Sequence, residues 1–342
     1  MVSFIKPNKR KVFNYNNILF TLFLVASLFS RLNSEFSFID ILAQLSFQII
    51  ICGILLSLFF IFHKRFRLSF ICIIVCAFIG GDIFSSCSNC NAFLEDKLQK
   101  YRKIRLMTFN IGFSNDFHNL RKQILFEKPD IILLQEVSSQ IQKQLKFLES
   151  FFPYNSGLDK PLKTFSSIIL SKYPLKNERV TNYNTVITNV IFDNREFTLI
   201  GAHLSPPLDE SLGKIYIDMY FTYSNAIRPQ VLPEANLRLA IDQMNFIKLL
   251  VKKIDENLIL IGDLNMTPTS RRFNKFLKEA NLYTYTSFKN PTSTWPSFLP
   301  KFLGIQIDHV LFSKNFKVIE KKTANYRTSD HRPLIVDLAF LK

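Results

Sequence analysis

A chain of 342 residues with a formal net charge of +16 and 48% hydrophobic residues, including 36 Phe, is neither an intrinsically disordered polymer nor a small disulfide-stapled module. The length accommodates one large domain of about 240 residues and an appendage of about 90. Residues 18–86 hold long apolar runs, whereas 101–342 have the texture of a globular domain able to bury a core without staples. On that domain 33 Lys and Arg face 22 Asp and Glu, an excess of 11 positive charges. Such an excess suits a solvated basic surface, and equally attraction to phosphates or anionic headgroups.

Three apolar runs, Ile18–Phe29, Phe36–Phe62 and Leu68–Phe84, predict three transmembrane helices and make residues 1–86 a membrane anchor. The first run has a basic start, as a signal peptide does, but two further runs follow at once and no small-x-small cleavage site is present. Lys6, Lys9, Arg10 and Lys11 precede the first run, only Arg31 separates the first from the second, and Lys64, Arg65 and Arg67 crowd the next turn. A cytoplasmic start and three crossings then predict a multi-pass protein of a bacterial inner membrane with its large domain outside the cytoplasm. Lys97, Lys100, Arg102 and Lys103, beyond the third run, count against that polarity. Asp40, Gln44 and Gln48 recur every fourth residue and form one polar stripe. A hydrogen-bonded helix seam, with Arg31 answering Asp40, is the expectation; a contact to a substrate headgroup is the other reading. All five cysteines precede residue 101. Cys87 and Cys90 lack the second pair a zinc site needs and read as a disulfide or two idle thiols. Residues 87–101 are polar and read as a tether.

From residue 102 the chain changes character and reads as a catalytic domain over 102–342. Lys103–Asn110 alternates and ends in Asn-Ile-Gly, a strand meeting a loop. His118–Phe126 has helical spacing. Asp130–Leu134 is a buried strand ending in Gln135-Glu136, and Ser166–Leu170 and Val186–Phe192 are further strands. Phe197–Ala202 delivers His203. Asn236–Ile254 is the clearest amphipathic helix, carrying Arg238 and Gln243 on a face that is either solvated or turned to a site. Leu258–Ile261 runs into Gly262-Asp263-Leu264-Asn265. Arg272–Ala280 reads as a helix, with Gln306–Phe312 and Pro333–Ala339 as the last strands. A polar strand end means little by itself. Repeated through one domain, it predicts that carboxylates, amides and imidazoles converge on one rim of a sheet sandwich.

The motifs in order are Met107-Thr-Phe-Asn-Ile111, Ile132-Leu-Leu-Gln-Glu-Val137, Gly201-Ala-His-Leu204, Ile261-Gly-Asp-Leu-Asn265, Ile307-Asp-His-Val310 and Ser329-Asp-His-Arg-Pro333. The series resembles the endonuclease/exonuclease/phosphatase superfamily, whose members include DNase I, abasic-site endonucleases, neutral sphingomyelinases and inositol-polyphosphate 5-phosphatases. The resemblance spans nearly all of 103–341. It implies a four-layer α/β/β/α sandwich and divalent-metal-dependent hydrolysis of phosphoesters, with Mg²⁺ as the ion and Mn²⁺ as an alternative. It also implies Glu136, with Asn110 beside it, as oxygen ligands, and Asp330 at a metal position. By the same resemblance Asp263 orients or deprotonates the attacking water and Asn265 helps hold water and phosphate. His203 and His331 donate to phosphoryl oxygens, and Asp308 fixes the His331 tautomer. His309 is expected to pack structurally, and His118 and His63 lie outside the motifs.

Thr294-Trp295-Pro296, together with the three apolar runs, resembles the membrane-anchored bacterial branch of the teicoplanin-resistance type. That likeness implies a membrane lipid or lipid-linked phosphate as substrate, with nucleic acid as the alternative and no obligate protein partner. The apolar stretch 205–235, with Ile215, Tyr216, Met219, Tyr220 and Phe221, reads as a lid or membrane contact, or as packing against the sandwich.

Overall fold

The computed structural model describes residues 15–32, 36–86, 101–112, 114–161, 167–181, 183, 185–207, 233–254, 257–286, 292–325 and 328–341. Cys87, Cys90, most of the tether and most of the 205–235 stretch lie outside the described residues, and Cys52, Cys72 and Cys76 are free thiols.

Two sheets form the body of the domain. Strands β1 (Lys103–Asn110), β2 (Ile131–Gln135), β3 (Tyr154–Ser156) and β4 (Ser167–Ser171) join β10 (Phe316–Thr323) and β11 (Leu334–Phe340) in the order β10-β11-β1-β2-β4-β3. The other sheet runs β5-β6-β7-β8-β9, from β5 (Leu175–Val180), β6 (Val186–Phe192), β7 (Arg195–His203), β8 (Leu258–Asp263) and β9 (Asp308–Phe312). Side chains alternate across a strand, so each sheet has an inner and an outer face. Ile104, Leu106, Ile131, Leu133 and Ile169 of the first sheet pack against Phe197, Leu199, Ile259, Ile261, Val310 and Phe312 of the second. On the outer face of the first sheet, Met107, Phe109, Ile132 and Leu134 meet Leu120 and Ile124 of α5 (Phe117–Glu127) and Ile141 and Leu145 of α6 (Ser139–Leu145). On the outer face of the second, Ile200, Leu260 and Leu311 meet Ile247 and Val251 of α7 (Pro233–Lys252) and Phe273, Phe276 and Leu277 of α8 (Arg271–Glu279). The mixed α/β sandwich of two sheets flanked by helices is therefore present, as expected.

The same alternation places the chemistry. In β8 the inward residues are Ile259 and Ile261, and the next inward position is Asp263. In β7 they are Phe197 and Leu199, and two steps of two further on comes His203. In β1, Ile104 and Leu106 precede inward-facing Asn110 by whole repeats. The register aligns His203 with Asp263 across the parallel β7–β8 pair and Asp263 with Asp308 across the antiparallel β8–β9 pair. Each sheet thus brings its polar residues to one edge of the shared apolar core.

Among the described residues, four apolar helices precede the domain. These are α1 (Tyr15–Phe29), α2 (Ser37–Gln44), α3 (Ser46–Phe62) and α4 (Phe66–Ser86). Among the described residues, only α4 is long and apolar enough to cross a membrane by itself, over Phe66–Ile83. The second apolar run is not one helix: Phe38–Gln44 and Ser46–Phe62 meet the same measure only together and are bent by 73°. At the break Ser46 Oγ donates to the Ala43 carbonyl at 2.6 Å, a local bond that competes with the helical ladder. Where three transmembrane helices are expected, the described residues hold one such helix, one broken pair that meets the measure together and a shorter apolar helix of 15 residues.

The polar stripe is hydrogen-bonded as expected, with different partners. Asp40 meets Arg272 Nη2 of the sandwich at 2.9 Å, whereas Arg31 meets Asp82 of α4 at 3.3 Å. Arg31 also donates to the Thr269 carbonyl, and Asp82 pairs with Arg271, so the apolar helices and the sandwich share a polar seam.

Gly262 occupies φ +143°, and a Cβ built on it would lie 1.8 Å from the Ala202 carbonyl oxygen. Gly262→Ala forces β7 and β8 apart just ahead of Asp263. The variant is expected to lose more than about 3 kcal/mol of stability, read as a lower urea midpoint.

Candidate active site

The polar rim assembles from both sheets. Asn110 Nδ2 donates to Glu136 Oε1 at 3.0 Å and to Asp263 Oδ2 at 3.2 Å, so one amide ties a carboxylate of each sheet. Its Oδ1 accepts from Gly112 N–H at 3.0 Å, which uses one of two lone pairs. His203 Nε2 stands 3.7 Å from both Glu136 Oε1 and Asp263 Oδ2. His331 Nε2 stands 3.7 Å from the same Asp263 oxygen, while its Nδ1 meets Asp308 Oδ2 at 2.9 Å. Glu136, His203, Asp263, Asp308 and His331 are all buried. Six scattered sequence positions therefore meet in one buried cluster.

Two of these residues stand on uncommon backbone. Glu136 follows β2 at φ +52° and Asn265 follows β8 at φ +49°. Asn adopts this left-handed region readily, because its short polar side chain bonds locally. Glu does not, and such strain persists only where surrounding contacts hold it. Asn265 N–H donates to Asp263 Oδ1 at 2.9 Å, and its Nδ2 donates to the Leu204 carbonyl at 2.7 Å. The turn after β8 thus fixes Asp263 from behind and ties β8 to the end of β7.

Burial first, and then the charge of Asp308, push the Asp263 carboxyl up to about 8, against the pull of His331, Asn265 N–H and Asn110. Burial tends to lower His331, but the charge and hydrogen bond of Asp308, followed by Asp263 and Asp330, outweigh it and lift the imidazole to about 10. His331 is therefore a cationic donor at neutral pH, aimed at the space beside Asp263. Asp263, Asp308 and His331 offer ligand atoms within 4.8 Å of one another. A protonated imidazole cannot ligate, so the carboxylates and the Asn110 amide are the oxygen donors available to a cation. Three buried carboxyl groups against two imidazoles leave an acidic cleft, and hard oxygen donors suit Mg²⁺ or Mn²⁺.

Asp330 sits beside this cluster. Its Oδ2 accepts from Trp295 Nε1 at 3.1 Å, so Trp295 touches the site edge as well as packing. Ser329 Oγ donates to the Asn110 carbonyl at 2.8 Å and accepts from His331 N–H at 3.0 Å, joining the Ser-Asp-His segment to β1. The Thr294 hydroxyl accepts from the N–H groups of Ile307 and Asp308 at 3.0 and 3.1 Å and sets the start of β9. His309 is structural, as expected. Its Nε2 meets the Met266 carbonyl at 2.7 Å, and burial drives its pKa down to about 3, with the Met266 contact opposing and the charge of Lys321 adding. Gln243 of α7 is buried and accepts from Ser205 N–H, whereas Arg238 is exposed. Sequence reasoning missed Gln306 and half-buried Lys321. Lys321 Nζ donates to Gln306 Oε1 at 3.1 Å, Gln306 Nε2 lies 3.2 Å from His309 Nδ1, and burial lowers Lys321 to about 7. No short motif marks this network.

A sequence profile of the Endonuclease/Exonuclease/phosphatase family matches residues 107–331. The chain belongs to this family and is a phosphoester hydrolase. Among solved structures, an endonuclease/exonuclease/phosphatase from Beutenbergia cavernae DSM 12333 is 16% identical, with a TM-score of 0.50 over 70% of this chain and 72% of that one. The β toxin of Staphylococcus aureus with bound magnesium ions is 17% identical, with a TM-score of 0.48 over 70% of this chain and 100% of its own. The human Nocturnin catalytic domain is 18% identical, with a TM-score of 0.47 over 70% and 94% of the two chains. The likeness to the Beutenbergia cavernae structure shows a shared fold. No curated protein matches the sequence.

The His331–Asp308 pair sets a pH limit. The raised pKa keeps His331 charged at and below neutrality, and the charge is lost as pH rises through about 10. Asp308→Asn removes the main anion holding that proton. The alkaline limb of the kcat profile is expected to move to lower pH and kcat to fall about 100-fold, both read in one pH–rate series.

Proposed function

We propose that this hydrolase is tethered to a membrane through its apolar helices and acts outside the cytoplasm on a lipid-borne phosphate or pyrophosphate. The single observation that carries the reading is the polar seam between those helices and the rim of the sandwich. Its members are Arg31 at the end of α1, Asp40 and Gln44 on α2, Gln48 near the start of α3 and Asp82 near the end of α4. They belong to helix ends on one side of the apolar group. Exposed Lys64 and Arg65 lie in the turn between α3 and α4 and exposed Arg67 in the first turn of α4, at the opposite ends of those two helices. Basic turns favour the cytoplasmic face, which supports an extracytoplasmic sandwich. Phe66, Phe70, Ile73, Ile74 and Phe78 of α4 are exposed, an apolar face that suits hydrocarbon better than water. A tethered site next to a bilayer favours substrates that reside there, and the Thr294-Trp295-Pro296 segment together with the apolar helices carries the likeness to the teicoplanin-resistance branch.

Glu136 and Asn110, with Asp330 as a further oxygen donor, are the residues that would hold a divalent cation. Such an ion, when bound, neutralises charge on the phosphoryl oxygens. Asp263, held by Asn265 N–H and Asn110, in its ionised form takes a proton from the attacking water as its oxygen bonds to phosphorus and the bond to the leaving group breaks. His331 donates from Nε2 to a phosphoryl oxygen, with Asp308 holding its other nitrogen. His203 stands across Asp263 to donate to a second oxygen as charge builds.

A nuclease of the extracytoplasmic face is the second reading, favoured by the excess of positive charge on the domain. The test is phosphate release from polyprenyl pyrophosphate and phospholipid, alongside nicking of plasmid DNA and cleavage of RNA, by the full chain in detergent with Mg²⁺ or Mn²⁺. Lipid phosphate release that falls about 1,000-fold in Asp263→Ala is the expected result. Nucleic-acid cleavage with inert lipids would install the nuclease reading instead.

A further inference from the structure

The catalytic turn after β8 is not held by the sandwich alone. Gln44, the last residue of α2, donates from Nε2 to the carbonyl of Asn265 at 3.2 Å and to Asp40 Oδ2 at 3.0 Å. The Asn265 N–H in turn holds Asp263 Oδ1. The backbone carbonyl of Gln44 lies at the helix terminus, where a carbonyl has no partner within its own helix. Two hydroxyls of the catalytic turn supply one: Thr267 Oγ1 at 3.1 Å and Thr269 Oγ1 at 3.3 Å. Asp40, one turn earlier on α2, pairs with Arg272 in the first turn of α8, the helix that follows the catalytic turn. Asp40, Gln44 and Thr267 are all buried, so these bonds form away from competing water. The break between α2 and α3 is what frees the Gln44 carbonyl and turns α2 along the sandwich.

We infer that Gln44 is a positioning residue for the active site, and that α2 is a buttress which sets the Asn265 turn and, through it, the Asp263 carboxylate. This rests on the hydrolase reading of the site. Its consequence is that turnover depends on how the apolar helices seat against the sandwich, even for a substrate that never touches lipid.

The test uses the full chain in detergent micelles, Mg²⁺, and bis-p-nitrophenyl phosphate as a soluble probe. Gln44→Met keeps length and loses the donor, and Thr267→Val loses the second bond from the other side. Each is expected to lower kcat about 10-fold with KM changed less than about twofold, since a buried hydrogen bond positions the site without touching substrate. The double variant should fall little further, because both bonds serve one contact. Hydrogen exchange over residues 264–270 should quicken in each variant. Wild-type kcat in Gln44→Met, or a change confined to KM, would overturn the proposal. Should wild type hydrolyse no phosphoester at all, the hydrolase reading fails on its own, and exchange over 264–270 still decides whether Gln44 holds the turn: unchanged exchange refutes it.

Discussion

Glu136, Asp263 and Asp308 are buried together where the inner faces of two sheets run out of apolar side chains. Carboxylates taken out of water raise each other's affinity for protons, and the cleft is organised around relieving that strain. His331 meets Asp308 and faces Asp263, His203 lies between Glu136 and Asp263, and the Asn110 amide bridges the last two. The acidic excess left over is what gives the cleft an appetite for a divalent cation. Electrostatic stress and chemical competence are here one property: the field that lifts the Asp263 pKa makes its carboxylate a good proton acceptor, and a bound cation would offset the cost of keeping the neighbouring carboxylates ionised.

The fold places this stress at one edge of the apolar core. The core holds Phe197, Leu199, Ile259, Ile261, Val310 and Phe312 between the sheets. Asp263, His203 and Asn110 continue the same inward parity two or four residues further along their strands. The rigid interior therefore fixes their spacing, while the turns after β2 and β8 tune their direction. Ser329 and Thr294 tie the last two motifs back to β1 and β9, so segments far apart in sequence share one frame.

Much of this was legible in the amino-acid order. Leu258–Ile261 followed by Gly-Asp, and Phe197–Ala202 followed by His, announce both the strand and the inward side chain, because period-two alternation is local information. The exposed edge strand β5, with its Lys-Asn-Glu-Arg centre, and β10, interrupted by Glu320, Lys321 and Lys322, escaped notice because polar faces mask the strand period. The break at Leu45 was hidden inside a continuous apolar run. Asp40 finds its cation at Arg272 rather than Arg31, since pairing depends on which helix end meets which turn, and no spacing rule carries that. Lys321, Gln306 and His309 likewise meet only after β9 and the segment before it have folded against β10.

At Glu136 backbone and side chain make opposite demands. A left-handed residue at that φ is most comfortable as Gly or Asn, yet Gly offers no oxygen and Asn is one methylene shorter and uncharged. Relaxing the main chain there would remove the carboxylate, and keeping the carboxylate preserves the distortion. Random drift at this position therefore has nowhere easy to go: the substitutions that suit the turn are those that empty the cleft of its anion.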